Sequence, residues 1–385
     1  MAETERIPLA EVRDLIVVGE ALPFRVLEAQ GRLLLNQGQV VASERQLEML
    51  VERGAWVERP RVEEVRKARG GTTVPVSHAQ RQQTFFDLWD TWAHDFNDLV
   101  RRVPRERALP GEFEAAADAL LTLIRRDSDV ALFVCVRQDG MKPALYPSWH
   151  SMHCAVSATL TAMQLGWPED DLRRVTRAAL TMNIGMVELQ ATLAEQKDPP
   201  SNKQSQFVRG HPNASADVLR KLGVTDAAWL QAVQDHHERA DGSGYPRGAK
   251  ELSDAAMLLR IVDVYTAKIT CRALRLPMAP VQAARELFQQ LGHSALATAL
   301  IHALGVHPPG ALVLLQSGEV AVVRRRAAAG TAPTVASLSN KRGLPVAETH
   351  QRDSGSAEFT ITGPCVDTKL FARIPPERVF GMVMA

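Results

Sequence analysis

The sequence predicts a mainly α protein, a helical bundle with a small N-terminal α/β module and a small C-terminal β-rich appendage. Three observations predict it. Apolar residues recur at helical spacing through the middle of the chain. Short apolar runs punctuated by Gly and Asn fill the first 59 residues, and alternating runs return after Pro309. The 385 residues, 45% hydrophobic and 23% charged, have an ordinary globular composition. That length suits roughly two to three domains.

Residues 1–59 read as the small module. Residues 31–35 and 39–41 are short strands around the turn Asn36-Gln37-Gly38. Ser43 and Gln46 form a capping box ahead of Leu47, Leu50 and Val51. Gly54 ends that helix, because glycine enters the left-handed cap at little cost. Trp56 and Val57 suit a closing strand. Residues 60–111 read as linker and helix. The stretch 60–83 is polar with Gly70-Gly71, whereas Phe85, Leu88, Trp89, Trp92, Phe96, Leu99 and Val103 share one helical face, a core face.

Residues 112–308 read as the main helical domain, with a helix over 113–126 and a long helical region over 148–303. Breaks fall at Lys197-Asp198-Pro199-Pro200 and over 241–248. Residues 309–385 read as the appendage. There 311–315 and 320–323 form a hairpin around Gln316-Ser317-Gly318-Glu319, and 358–362 is another strand.

Lys plus Arg number 45 and Asp plus Glu 44, a net charge of +1. No global field attracts a nucleic acid polymer or a membrane. The longest apolar run, 130–136, falls far short of the roughly 20 residues that span a bilayer. The polar first residues show no signal-peptide pattern. Cys135, Cys154, Cys271 and Cys365 form no CxxC pair, so neither a thiolate zinc site nor a disulfide framework is expected. A soluble protein of the reducing cytoplasm is the expectation.

Five residues of the helical region have metal-ligand chemistry: His150, His211, His236, His237 and Asp263. Imidazole and carboxylate suit iron, manganese or zinc. Adjacent helical residues diverge by about 100°. His236 and His237 therefore serve one pocket only near a helix end or across two ions, and the glycine-rich run 241–246 supplies such an end. Asp263 lies in the apolar stretch 258–265, where an unpaired carboxylate is costly to bury and needs a cation or donors. Structural ion pairs produce the same pattern.

Residues 112–305 resemble the HD-GYP domain, a helical branch of the HD phosphohydrolases. Its signature is matched by His236-His237-Glu238 through Asp241-Gly242-Ser243-Gly244-Tyr245-Pro246. Around it stand His211-Pro212, Asp263-Val264-Tyr265, Arg272, and His150-Ser151 heading a helix that ends at Leu165-Gly166. The resemblance implies an HD-type bundle that hydrolyses cyclic di-GMP at a two- or three-metal centre. It implies metal ligation by His150, His211, His236, His237 and Asp263. Arg272 and Arg275 are candidates for contact with a phosphate or guanine. In the family a loop like Gly242, Gly244, Tyr245 and Pro246 is proposed to contact GGDEF cyclase domains. Residues 8–58 and 309–323 are similar to modules that accompany such domains.

The departure lies in the segment that names the family. Where an HDIGK-like run belongs, the chain has Met182-Asn183-Ile184-Gly185-Met186. A carboxylate bridges two cations, a neutral amide bridges poorly, and a thioether is a poor ligand for hard or borderline ions. The five remaining ligands carry one negative charge. Without two close, charge-balanced ions, in-line attack on a phosphodiester loses its clamp. The expectation is a cyclic di-GMP signalling protein, catalytically impaired, that works by binding nucleotide or a GGDEF-type partner, with one divalent metal (Fe, Mn or Zn) or none. The alternatives are an active phosphodiesterase with a rebuilt metal site and a scaffold whose terminal modules carry the interactions. A homodimer is the lesser reading of the aromatic face at Phe85, Trp89, Trp92 and Phe96.

Overall fold

The computed structural model describes residues 6–28, 33–41, 47, 50–51, 54–68, 84–137, 143–273, 277–291, 294–327, 331–365 and 374–381. The chain divides into two compact units, Met1–Arg81 and Gln82–Ala385.

The first unit carries a four-stranded antiparallel sheet of β1 (Arg6–Pro8), β2 (Val26–Leu27), β3 (Leu33–Leu35) and β4 (Trp56–Glu58), in the order β1-β4-β2-β3. Leu9, Val12, Phe24, Val26, Val41, Leu47 and Val57 form its core. Helix α1 (Arg59–Ala68) follows β4 and buries Val62 in that core. Leu47, Leu50 and Val51 are helical and Gly54 has φ +64°, whereas the capping residues Ser43 and Gln46 lie outside the described residues. The strand expected over 39–41 shrinks to a single bridge, Ala21 to Val40. Pro23 has no N–H with which to extend that ladder.

The second unit begins with α2 (Phe85–Arg102), entered through a capping box in which the Thr84 hydroxyl accepts from the Asp87 N–H and Asp87 accepts in return. Its apolar face is buried as expected, and Trp92 stacks on Phe96 at 5.0 Å. Helices α3 (Glu112–Arg126) and α4 (Ser128–Arg137) lead to α5 (Tyr146–Gln164). Helix α5 is buried on nearly every face, which marks it as the central helix of the bundle. Around it lie α6 (Glu169–Thr181), α7 (Val187–Glu195), α8 (Asn202–Lys221), α9 (Ala227–Asp235), α10 (Asp254–Ile269), α11 (Pro280–Leu291) and α12 (Ala295–Leu304). The molecule is mainly α, and among the described residues no helix is long and apolar enough to cross a membrane.

The chain then forms a five-stranded antiparallel sheet of β5 (Leu312–Leu315), β6 (Val320–Arg325), β7 (Thr334–Ser339), β8 (Pro345–Asp353) and β9 (Ile361–Pro364), in the order β8-β7-β6-β5-β9. The expected hairpin is β5–β6, turning at Gly318 with φ +85°. The strand expected over 358–362 starts later, at Ile361, because Ala357–Phe359 forms a 3-10 turn first. The sheet is tied to the bundle by Arg325 on Asp127 and Arg326 on Asp129, each at 2.6 Å. Helix α13 (Pro376–Phe380) returns to set Phe380 against Phe86 and Phe133.

Candidate metal centre

Helix α8 contains Pro212, which has no N–H to offer the carbonyl four residues back. That carbonyl, on Val208, is taken by His211 Nδ1 at 2.5 Å. A second freed carbonyl arises where α9 ends at Asp235, with His236 as its C-cap. There His236 Nδ1 takes the Val233 carbonyl at 2.6 Å. Both rings therefore carry their proton on Nδ1, which leaves Nε2 as a bare lone pair on each. The two Nε2 atoms face one another at 3.1 Å. Two lone pairs cannot bond to each other, and a cation between them resolves the contact. A tetrahedral ion with metal–nitrogen distances of about 2.0–2.1 Å places such nitrogens about 3.3 Å apart. His237 brings a third nitrogen within 4.8 Å of both. Burial pushes the His211 imidazole down to about 3, drives His236 well below its ordinary value and lowers His237, so all three rings are neutral. This donor set fits a divalent ion of the zinc, iron or manganese class.

The second cluster lies between α5 and α10. His150 Nε2 is 2.8 Å from Asp263 Oδ1. One helical turn after His150, the Cys154 sulfur is 3.7 Å from the same Nε2 and 3.1 Å from the Thr266 hydroxyl. His150 Nδ1 is buried and has no partner. Burial opposes the charge on Asp263, but the His150 bond and the nearby histidines hold its carboxyl well below the usual carboxylate range. Burial, with Asp263 beside it, pushes the Cys154 thiol well up. The structure thus brings together His211, His236 and His237 in one group and His150 and Asp263 in another.

The turn at Met182-Asn183, where the resemblance expects the HD pair, follows α6. Met182 is fully buried, and the buried Asn183 has both amide atoms without a partner. Gly185 presses on α8, where a Cβ would lie 2.5 Å from the Ser215 nitrogen. Its own N–H donates to the Ser215 hydroxyl at 3.0 Å. A separate cavity of about 930 Å³ adjoins this turn, lined by Met186, Lys203 and Phe207 among others, and none of the five expected ligands lines it.

The segment after His237 is held by its own polar groups. Asp241 accepts from the Ser243 N–H at 2.8 Å, and Glu238 accepts from the Arg247 N–H at 2.7 Å. The Arg247 guanidinium pairs with the buried Asp235. Gly242, Gly244, Tyr245 and Pro246 are all half-buried. Tyr245 stacks on His237 at 4.6 Å, with the Arg209 guanidinium 5.1 Å from its ring centroid.

Arg272 lies 4.7 Å from the ring centroid of Tyr146, which itself stacks on His150. Arg275 lies outside the described residues. Sequence reasoning missed Cys154, Tyr146, Arg209 and Arg260. Cys154 had a signal in its spacing of four from His150, and the others had none. Arg260 is half-buried and acts electrostatically on His237, and burial pulls its guanidinium below its ordinary value. Arg209, Arg260 and Arg272 form no ion pair with a carboxylate among the described residues.

Residues 141–295 match the family model described as HD domain. Over 182 residues the chain is 29% identical to a cyclic di-GMP phosphodiesterase of Pseudomonas aeruginosa, covering 46% of this chain and 44% of that protein. Over 153 residues it is 28% identical to 3'3'-cGAMP-specific phosphodiesterase 3 of Vibrio cholerae, covering 39% of this chain and 33% of that one. The chain therefore spans less than half the length of these curated relatives. Among solved structures, an HDGYP protein of Bdellovibrio bacteriovorus aligns at 16% identity and a TM-score of 0.49, covering 78% of this chain and 97% of that one.

Proposed function

We propose that this chain, whose residues 141–295 form an HD domain of the HD-GYP type, holds a cyclic dinucleotide of the cyclic di-GMP class and does not turn it over efficiently. One observation carries the reading. Three guanidiniums that close no ion pair among the described residues, Arg209, Arg260 and Arg272, flank a cluster whose five expected ligands include one carboxylate, Asp263, which with Asp241 acts on Arg260 only at longer range. Such a rim favours an anion, and a phosphodiester is the anion that guanidinium forks match.

The impairment is argued from the turn. A divalent ion, held by His211, His236 and His237, would supply Lewis acidity to a phosphoryl oxygen. The chain's own residues bind and orient. Arginine guanidiniums take the phosphates, and the neutral imidazoles leave the rim positive. At residues 182 and 183, Met and Asn offer no anionic oxygen to bridge two ions, and Asn183 lies buried with its amide unpaired. Binding survives this loss and catalysis does not.

The test measures binding of cyclic di-GMP by calorimetry and hydrolysis by chromatography. The protein is purified anaerobically and supplied with iron(II) or manganese(II). A Met182→His, Asn183→Asp double variant runs beside it. The expected result is binding without turnover in the natural chain and metal-dependent turnover in the double variant. Metal-dependent turnover by the natural chain, or no binding by either protein, overturns the reading.

A further inference from the structure

The nucleotide reading gives no role to the buried Cys154 thiol, which unlike the buried Cys135 stands against a histidine and a carboxylate. We propose that Cys154 is a metal ligand, and that with His150 and Asp263 it forms a thiolate-containing site for a zinc-class divalent ion, beside the imidazole triad. The three ligand atoms all lie within 4.8 Å of one another. His150 and Cys154 stand one helical turn apart on α5, so both point from one face towards α10.

The distances fit. With metal–sulfur at about 2.3 Å and metal–nitrogen at about 2.0–2.1 Å, tetrahedral ligands lie about 3.6 Å apart. Cys154 Sγ is 3.7 Å from His150 Nε2. The 2.8 Å contact between His150 and Asp263 must open by about half an ångström to admit the ion. Asp263 is the member able to give, since its side chain is 15% exposed while His150 is 2% exposed.

Charge and chemistry agree with geometry. A thiolate and a carboxylate balance a divalent ion, and sulfur with imidazole selects zinc over magnesium or calcium. Met182 and Asn183 bring no anion, so Cys154 restores a negative ligand that the turn has lost. Without metal the thiol keeps its proton and the Thr266 hydroxyl, 3.1 Å away, accepts it while donating to the Val262 carbonyl. On binding, the thiol proton leaves to solvent and the His150 proton moves from Nε2 to the unpartnered Nδ1. One proton is released per ion.

The inference goes beyond nucleotide binding and is measured with no nucleotide present. The protein, in a Cys271→Ser background that removes its exposed thiol, is loaded with zinc or with cobalt(II). X-ray absorption on the zinc form is expected to show a sulfur scatterer at about 2.3 Å. The cobalt form is expected to show a thiolate-to-cobalt charge-transfer band in the near ultraviolet. Cys154→Ala should abolish both and lower the bound ions from two per chain to one, while His237→Ala should keep the band. Absence of a sulfur scatterer from the loaded chain overturns the proposal, as does a band that survives in Cys154→Ala. The absorption measurement on the chain with Cys154 intact decides the matter even where Cys154→Ala fails to fold.

Discussion

The turn at residues 182–186 and the segment 236–246 both pack against α8 at or near His211, and they have kept opposite things. The turn has kept its shape. Met182 and Ile184 are buried, and Gly185 sits against the α8 backbone where no side chain fits. Yet it holds no titratable side chain. The segment has kept its charges and bonds. Asp235, Glu238, Asp241 and Arg247 tie it to itself, and it delivers His236 and His237 to His211. The difference teaches that the shape of such a pocket and its charge are held by different forces. Apolar packing holds a turn whether or not it carries ligands, because burial is indifferent to the metal.

The largest expected effects come from the two clamped glycines, one in each region. A Cβ on Gly244 would lie 2.4 Å from the Arg239 nitrogen, and one on Gly185 would lie 2.5 Å from the Ser215 nitrogen. Backbone cannot yield as a flexible side chain does, so Gly244→Ala and Gly185→Ala should each cost about 3 kcal/mol in denaturant unfolding. The comparison predicts that they differ in metal binding. Gly244→Ala displaces Tyr245 from His237 and weakens the triad's hold on zinc, while Gly185→Ala leaves it. Equal losses of zinc affinity would show that the two regions are one device.

A smaller effect separates shape from charge within the turn. Asn183 is buried with both amide atoms unpaired. Asn183→Leu should be nearly neutral, since it removes two unsatisfied groups while keeping the branched shape, and that gain offsets the tighter fit of two methyls. Asn183→Asp should destabilise the metal-free protein by about 2 kcal/mol at neutral pH, the cost of a buried acid without donors. Added zinc or manganese should return that stability. An Asn183→Asp protein as stable as its parent without metal would place this side chain away from the site.

How much of this was legible depends on period and on partners. The face of α2 could be read because aromatic residues repeat at helical spacing against polar neighbours. Strands β1 and β2 could not, because two or three residues are too few to show alternation. Strands β7 and β8 hid for another reason: the first spaces Val335 and Leu338 three apart among Thr, Ala and Ser, out of step with a strand's alternation, and the second is polar along most of its length at the sheet's edge. In the site, His211, His236, His237 and Asp263 announced themselves by donor chemistry. Cys154 did not. A single cysteine in an apolar helix reads as core, and its partner Asp263 is 109 positions away in a chain of 385 residues. Arg209 and Arg260 were invisible because what matters is that no carboxylate closes on them as an ion pair in space.

A pH slope also sets the turn apart. The turn carries nothing that titrates, whereas His211 and His236 are buried and His237 half-buried, all three neutral. Burial holds His211 at about 3 against roughly 6.5 in the unfolded chain. Below pH 6.5 the unfolded chain takes up a proton that the folded chain refuses. Stability is therefore full above that pH and falls as the solution is acidified, by about 1.4 kcal/mol per pH unit for each such ring. His153, fully buried on α5 with both nitrogens unpartnered, is also pushed down to about 3 and adds to the slope. Urea unfolding of the metal-free protein should be flat above pH 7 and weaken between pH 6.5 and pH 5. His211→Gln and His153→Leu should each remove about one proton's worth of slope, and only His211→Gln should also weaken zinc binding. A slope untouched by either substitution would mean that these rings take up protons in the folded chain. The facing lone pairs of His211 and His236 would then be bridged by a proton, with no need of a metal.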